Sequence, residues 1–191
     1  IVIDLSPMRA VRVDPADRRV WVQGGALWGD VDHETQAHGL ATTGGIVTHT
    51  GVAGLTLGGG IGWLMRKHGL TIDNLLAVDV VTADGELLRA SEHEHPDLFW
   101  ALRGGGGNFG VVTAFEFRLH SVGPTVLAGP ILWDASDAGE VLRFYRDFVR
   151  DAPDELGTVV RFGTAPPLPA IPEDLHWRRV VMVGTCYAGP I

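Results

Sequence analysis

Residues 48–63 of the chain read Thr-His-Thr-Gly-Val-Ala-Gly-Leu-Thr-Leu-Gly-Gly-Gly-Ile-Gly-Trp. They belong to a longer segment, residues 39–62, in which nine of 24 residues are glycine, about five times the ~7% that is typical of proteins. Glycine lets a backbone lie close to a ligand, and bare amides and hydroxyls can hydrogen-bond phosphates or a polar ring edge. Apolar residues are interleaved with these glycines, which favours an ordered loop packed on a core. The pattern predicts a nucleotide or flavin cradle built from loops.

A second glycine-rich stretch, residues 104–110, reads Gly-Gly-Gly-Gly-Asn-Phe-Gly and contains the pattern G-x-G-x-x-G. The dinucleotide fingerprint of that form requires a strand before it and a helix after it. Here the sequence predicts a helix before and a strand after, so a Rossmann-type site is excluded. Ordering four consecutive glycines costs entropy, which favours a backbone approach to a ligand over a flexible loop.

The residues around these two stretches predict short strands and helices. Strands are expected within residues 1–25, and a helix is expected after Gly25. Asp84-Gly85 is a two-residue hairpin signal between two apolar runs, and Pro96 suits the first position of a helix. Alternation in the strand after the second glycine stretch predicts that five residues share one face: Val111, Thr113, Phe115, Phe117 and Leu119.

Gly123-Pro124 is a predicted boundary between two parts of the chain. A strand, an amphipathic helix and two further strands are expected after it. The helix is predicted over about residues 136–152, with Ser136 as its N-cap. Its apolar stripe is formed by Val141, Leu142, Tyr145, Phe148 and Val149.

Composition excludes several classes of protein. The chain has 191 residues, which allows one large domain or parts of two, and a net charge of −8. That charge is a poor match for nucleic acid, and no apolar run reaches the ~18 residues of a membrane helix. The lone Cys186 excludes a disulfide framework or a cysteine zinc cluster and is expected to be a buried structural thiol. His93-Glu94-His95 is typical of a solvated loop, so no metal site is predicted. The sequence has no G-x-S-x-G and its serines lack a triad context, so no catalytic residue is predicted either.

Five motifs then occur in a fixed order. They are Thr-Thr-Gly-Gly at 42–45, the glycine-rich run at 51–62, Arg-Lys-His-Gly-Leu at 66–70, Asp-Asn-Leu at 73–75, and residues 97–112, which include the second glycine stretch. Together they resemble the FAD-linked oxidoreductases of the vanillyl-alcohol-oxidase superfamily, whose FAD-binding domain is of the PCMH type. The most similar branch is that of the bacterial berberine-bridge-enzyme-like proteins. The resemblance is dense over about residues 1–125 and loose beyond.

The resemblance implies an α+β fold. Residues 1–122 would be most of the second lobe of a PCMH-type FAD-binding domain, a mixed or antiparallel sheet with flanking helices. Residues 123–191 would begin an α+β substrate domain. The flavin-attachment loop of the family, of the type R-G-G-G-H, would precede Ile1, and the catalytic base would follow Ile191.

The resemblance also implies which residues bind the cofactor, FAD. The pyrophosphate, ribityl chain and ring edge would be lined by Thr48, His49, Thr50, Gly51, Gly54, Leu55, Thr56, Gly58, Gly59, Gly60 and Gly62. The backbone of Val112 would hold the adenine end. A histidine upstream would attach the flavin covalently. Some plant-like members add a cysteinyl bond, but the matching position is Val47, which has no thiol.

The implied activity is hydride transfer from a C–H of an alcohol, sugar or amine to flavin N5, with O2 as the electron acceptor. In the plant branch the position matching Thr50 gates O2, and valine there permits oxidase behaviour. The expected partners are FAD, a small-molecule substrate and O2, with no nucleic acid or membrane. A cytoplasmic location is expected, and an export signal upstream is left open. The alternative is a non-catalytic, truncated flavin-binding module or inactive fragment.

Overall fold

A five-stranded antiparallel sheet is the centre of the first of two units in the computed structural model, which describes residues 2–190. The first unit ends at Pro124 and the second begins at Thr125. In spatial order the sheet runs β1-β2-β6-β4-β5. Its strands are β1 (Val11–Asp14), β2 (Arg19–Gln23), β4 (Leu75–Val81), β5 (Leu87–Ser91) and β6 (Val111–Arg118). A separate two-stranded ladder pairs β3 (Leu40–Ala41) with β7 (His120–Ser121).

Turn residues set the hairpins of this sheet. β4 and β5 pair in antiparallel register around the predicted Asp84-Gly85 turn, and Gly85 has a φ of 82°. A positive φ is readily adopted only by glycine, so the sequence signal and the backbone agree.

A β-bulge changes the face that β6 presents to the core. The register between β4 and β6 shifts between Asp79 and Val80, leaving Thr113 as the extra residue. As a result Val112, rather than the predicted Val111 and Thr113, joins the apolar core with Phe115 and Phe117. The predicted face is therefore correct beyond the bulge and wrong before it, because an inserted residue reverses the alternation.

Helices cover the apolar face of the sheet. They are α1 (Trp28–Gln36), α2 (Val52–Leu57), α3 (Met65–His68) and α4 (Pro96–Leu102), with 3-10 turns at Thr71–Asp73 and Gly106–Phe109. Pro96 is at the start of α4, as predicted. Side chains of α1, α2 and α4, among them Trp28, Val52 and Phe99, are fully or almost fully buried in one core with the strands.

The second unit is a three-stranded antiparallel sheet with one helix. The sheet runs β8 (Leu127–Asp134), β10 (Arg179–Tyr187) and β9 (Leu156–Thr164), and the helix is α5 (Ala138–Asp151). Short 3-10 turns lie at Ala135–Asp137 and Glu173–Leu175. Cys186 is buried, and burial raises the pKa of its thiol.

The start of α5 and its apolar stripe differ from the prediction. Ser136 is not the N-cap: its backbone N–H donates to the Asp134 carboxylate in a 3-10 turn, and α5 begins after Asp137. Val141 is the only buried residue of α5, whereas Leu142 and Phe148 are exposed. The whole chain is thus α+β with antiparallel sheets and flanking helices, as predicted. None of the helices within residues 2–190 has the length and hydropathy of a membrane span.

Candidate cofactor-binding site

The loop between β3 and α2, residues 42–51, is tied to the start of α1. The backbone N–H of Trp28 donates to the Thr50 carbonyl at 3.0 Å, and that of Gly29 donates to the Thr48 carbonyl at 2.8 Å. In return the N–H of Val52 donates to the Ala26 carbonyl at 2.9 Å.

The indole of Trp28 forms the floor of the loop. Trp28 is fully buried, and an added Cβ at Gly44 would lie 2.5 Å from its ring. An added Cβ at Gly45 would lie 2.9 Å from Leu55, a residue of α2. A side chain at Gly44 would displace this floor and one at Gly45 would displace Leu55, so close packing explains why both positions are glycine.

The loop also has hydrogen-bond donors that the described backbone does not use. The N–H groups of residues 44–49 donate to no backbone carbonyl of any residue that the structure describes. Thr48 and His49 are exposed, and so are the apolar side chains of Ile46 and Val47. A row of free amides on a fixed backbone, with residues 46–49 exposed, is suited to an anionic or hydroxyl-bearing ligand.

A second segment, residues 58–62, meets the first at Gly44. An added Cβ at Gly62 would lie 1.7 Å from the Gly44 carbonyl oxygen, so the two backbones are in direct contact. Gly59 and Gly60 have φ values of 110° and 78°, which L side chains rarely adopt. We call residues 44–51 and 58–62 together the cradle.

The structure places the predicted site residues in different surroundings. Eleven of the twelve lie in the cradle or in the helix α2 that joins its two segments: Thr48, His49, Thr50, Gly51, Gly54, Leu55, Thr56, Gly58, Gly59, Gly60 and Gly62. Gly54 is exposed with no atom within 4 Å of an added Cβ, whereas Thr56 is fully buried and its hydroxyl has no partner among residues 2–190. Leu55 packs between Gly45 and Gly60. Their ligand contacts remain predictions.

Val112 lies apart from the cradle, within β6 opposite Val80. Its carbonyl oxygen approaches Gly24 so closely that an added Cβ there would be 2.4 Å away. The turn that precedes β6, Gly106–Phe109, lies against α2 and so connects the second glycine stretch to the cradle. The contact of Val112 with adenine also remains a prediction.

A polar network around Asn74 was not predicted. Asn74 is 2% exposed. Its Nδ2 lies 2.9 Å from the Leu70 carbonyl, 3.0 Å from the His68 carbonyl and 3.3 Å from Thr43 Oγ1. His120 Nε2 lies 2.6 Å from Asn74 Oδ1, and the imidazoles of His120 and His68 are stacked with centroids 3.8 Å apart. Asp-Asn-Leu was noticed as a motif, but only the fold reveals which atoms Asn74 contacts.

Burial and neighbouring bases act on His120. Burial is the larger cause, and His68, Arg118, Arg18 and Lys67 add to it, so the pKa of His120 falls to about 4. The imidazole is therefore neutral near pH 7.

The cradle fits a ligand with anionic groups and a flat apolar part. The free amides of residues 44–49 could bind the first, and the exposed side chains of Ile46, Val47, Ile61 and Met65 could contact the second. FAD has both parts. Val47 offers no thiol, and among residues 2–190 no three His, Cys, Asp or Glu side chains are grouped to bind a metal ion.

Comparison with known proteins agrees with this geometry. Residues 1–91 match the family described as FAD binding domain. The FAD-linked oxidoreductase pgmH of Aspergillus terreus is 51% identical over 124 residues, which are 65% of this chain and 25% of that protein. The matched parts make up 25%, 36% and 30% of the lengths of the first curated relatives, so the chain corresponds to only a part of each of them.

Two solved structures superpose over almost all of the chain. The crystal structure of 6-hydroxy-D-nicotine oxidase from Arthrobacter nicotinovorans is 34% identical with a TM-score of 0.83, over 96% of this chain and 39% of that one. BBE-like #28 from Arabidopsis thaliana is 31% identical with a TM-score of 0.85, over 99% of this chain and 37% of that one. Both matches therefore include residues of each unit.

Proposed function

The chain belongs to the FAD-linked oxidoreductases of the vanillyl-alcohol-oxidase superfamily, and we propose that its cradle binds the pyrophosphate, ribityl chain and ring edge of FAD. The observation that carries the proposal is the row of backbone N–H groups at residues 44–49 that donate to no described backbone carbonyl, in a segment whose residues 46–49 are exposed. These donors are fixed before any ligand arrives, because Trp28 and Gly29 hold the carbonyls of Thr50 and Thr48. Fixed donors lose little entropy on binding.

We propose that the protein from which this chain comes is an oxidase. Bound FAD supplies the acceptor for a hydride from a substrate C–H, and O2 is the proposed final acceptor. The residues of this chain bind and orient the cofactor, and the apolar side chains of Ile46 and Ile61 exclude water from one side of it. The candidate substrates are alcohols, sugars and amines. The structural neighbour from Arthrobacter, an oxidase of 6-hydroxy-D-nicotine, supports the amine class.

The two units take separate roles in this proposal. Residues 1–122 form the PCMH-type FAD-binding part and residues 123–191 begin the substrate-binding part. No catalytic residue is assigned within the chain, and the histidine that attaches FAD is expected outside it. The chain spans 25 to 36% of its first curated relatives, so we expect it to be incompetent for turnover alone. A cytoplasmic location and the absence of nucleic-acid or membrane partners complete the proposal, and the net charge of −8 supports the absence of a nucleic-acid partner.

The role of Thr50 in O2 access is a separate part of the proposal. Thr50 is half-buried at the end of the free amide row. Threonine has nearly the shape of valine, so O2 is expected to reach the cofactor past it. Thr50→Leu in the longer protein is expected to slow reoxidation by O2 in a stopped-flow measurement. Reoxidation at the same rate would remove this role from Thr50.

Titration of the purified chain with FAD tests the cradle. We expect the yellow absorption to travel with folded chain through gel filtration and to leave it on acid precipitation, because the attaching histidine is expected outside these residues. The matched pair is Thr48→Pro and Thr125→Pro, since Thr48 lies in the amide row and Thr125 lies in an irregular segment of the second unit. Only Thr48→Pro should weaken FAD binding. A folded chain that leaves FAD fluorescence unchanged would contradict the proposal.

A non-catalytic flavin-binding module is the second candidate, since no catalytic group is assigned within these residues. FAD bound to the chain and not reduced by substrate favours this candidate for the chain itself. The same assay on the longer protein, where reduction of the flavin by an amine or a sugar is expected, separates the two candidates.

A further inference from the structure

We propose that Asn74 is the residue that positions the first segment of the cradle, and that its partner His120 makes FAD binding depend on pH. The inference rests on the proposed function, since it concerns how the cradle is held in the form that binds FAD. It assigns roles to two residues outside the row of free amides.

The Asn74 amide can take only one orientation. Its Nδ2 faces two backbone carbonyls, those of His68 and Leu70, and carbonyls only accept hydrogen bonds. The NH2 group must therefore point toward them, Thr43 Oγ1 at 3.3 Å shares one of its two hydrogens, and Oδ1 must point toward His120. Because Oδ1 only accepts, His120 carries its proton on Nε2.

This network connects directly to the cradle. Thr43 is fully buried and precedes Gly44, the residue whose carbonyl touches Gly62. Gly44 also lies on the indole of Trp28. A shift of Thr43 would consequently move the point where both cradle segments and their floor meet. Asn74 is 31 residues away along the chain and holds Thr43 through its side chain.

His120 brings the pH dependence. The bases that act on it come from three places: His68 and Lys67 on α3, Arg118 at the end of β6 and Arg18 in the β1–β2 turn. A proton added at Nδ1 would leave the bond to Asn74 intact, because Nε2 would still donate. The cation would lie 3.8 Å from the imidazole of His68 and beside three permanent positive charges. The stack, and with it the β3–β7 ladder that pairs Ala41 with His120, is therefore the part that acid opens.

The sign of the effect follows from linkage. In the opened form His120 regains its ordinary pKa of 6.5, whereas in the closed form its pKa is about 4. Protons therefore favour the opened form as the pH falls from 6.5 toward 4. FAD binding is at full strength above pH 6.5 and weakens below it.

The experiment measures FAD affinity by fluorescence quenching from pH 5.0 to 7.5 for the chain and three variants. The unchanged chain should bind more weakly toward pH 5. His120→Gln keeps an N–H donor for Asn74 without a titrating group, so its affinity at pH 7.5 should be within about threefold and its acid decline should vanish. Gln36→Glu, at an exposed position of α1, is the control for an amide-to-carboxylate change.

Asn74→Asp gives the sharpest expectation. The carboxylate would face the carbonyls of His68 and Leu70 without donors, so affinity at pH 7.5 should fall about tenfold. The negative charge would also favour protonated His120, so the pH dependence should reverse and binding should improve toward pH 5.5. If this variant does not fold, circular dichroism will show it, and His120→Gln decides the proposal.

The outcomes separate this inference from the proposed function. Failure of the unchanged chain to bind FAD at any pH overturns the proposed function. If the unchanged chain binds FAD and Asn74→Asp binds it with the same affinity and the same pH profile, Asn74 does not position the cradle. An acid decline that persists in His120→Gln overturns the role of His120.

Discussion

The two glycine-rich stretches of the first unit have similar compositions but need their glycines for different reasons. In the cradle, side chains at Gly44, Gly60 and Gly62 would collide with neighbouring atoms. In residues 104–107 only Gly105 would do so; Gly104 and Gly106 instead have φ values of 116° and 73° in open space. Contact therefore demands glycine at these three cradle positions, whereas backbone conformation alone demands it at Gly104 and Gly106, as it also does at Gly59 of the cradle. A glycine count alone does not distinguish the two causes.

Gly62→Ala should cause the largest change. The new Cβ would lie 1.7 Å from the Gly44 carbonyl oxygen, and a backbone atom cannot turn aside as a side chain can. We expect the free energy of unfolding to fall by about 3 to 4 kcal/mol, at or above the usual upper limit for overpacking. Urea unfolding measures the change, and FAD affinity should fall with it. A loss below about 1 kcal/mol would show that the two segments can separate freely.

Trp28→Leu should cause the next largest loss, because it removes the floor of the same contact region. Trp28 is fully buried and touches Gly44 and Gly45, so the cavity should cost about 2 to 3 kcal/mol of unfolding free energy. Trp100→Leu is the matched control, since Trp100 is 78% exposed and should change stability by less than about 0.5 kcal/mol. Equal losses of stability in the two variants would contradict the role of Trp28 as the floor of the loop.

Local patterns predicted the elements but not this floor. The Asp84-Gly85 hairpin and the Pro96 helix start were predicted because their signals lie within a few residues of the structures they set. Trp28 and Asn74 were missed as supports because their partners, Gly44 and Thr43, are distant in sequence. No periodicity reports such contacts.

Two further differences between the predicted and the observed elements come from an inserted residue in β6 and from competing cap residues before α5. The bulge at Thr113 moves Val112 into the core, and a period of two cannot anticipate one extra residue. Aspartate and serine are equally good caps, so the sequence around Asp134 and Ser136 allowed either to begin the turn before α5. Glycine composition predicted a ligand cradle in this stretch, whereas which of its amides stay free depends on how the rest of the fold pairs the backbone.

The stability of the chain in acid should reveal His120 independently of FAD. Its folded pKa of about 4 lies below the unfolded value of 6.5, so its stabilising contribution is complete above pH 6.5 and declines as the pH falls. Allowing for solvent screening at this half-buried site, we expect about 1 kcal/mol of unfolding free energy to be lost by pH 4.

Carboxylates must be separated from this effect. Glu116, paired with Arg19 and Arg89, has a lowered pKa and also loses stabilisation in acid. The informative quantity is therefore the difference between the unchanged chain and His120→Gln, measured by urea unfolding at pH 4.5 and 7.0. Parallel curves for the two proteins would mean that carboxylates alone set the acid sensitivity.

Gly107→Ala should have the smallest effect and tests the other half of the comparison. Gly107 has a φ of −84°, which alanine adopts, and no atom lies within 4 Å of an added Cβ. The change in unfolding free energy should stay within about 0.5 kcal/mol, with a small gain from the stiffer unfolded chain. Gly104 lies two residues before the turn Gly106–Phe109 and has a φ of 116°. Gly104→Ala should therefore lower the free energy of unfolding by about 1 to 2 kcal/mol through backbone strain alone.

FAD affinity then decides what the turn is for. If Gly107→Ala keeps both its stability and its affinity, residues 104–107 serve only to reverse the chain between α4 and β6. If its stability is unchanged and its affinity falls, the open space above Gly107 is where a ligand approaches the backbone, as the sequence favoured. The second result would unite the two stretches as parts of one site, because the turn that contains Gly107 already lies against α2.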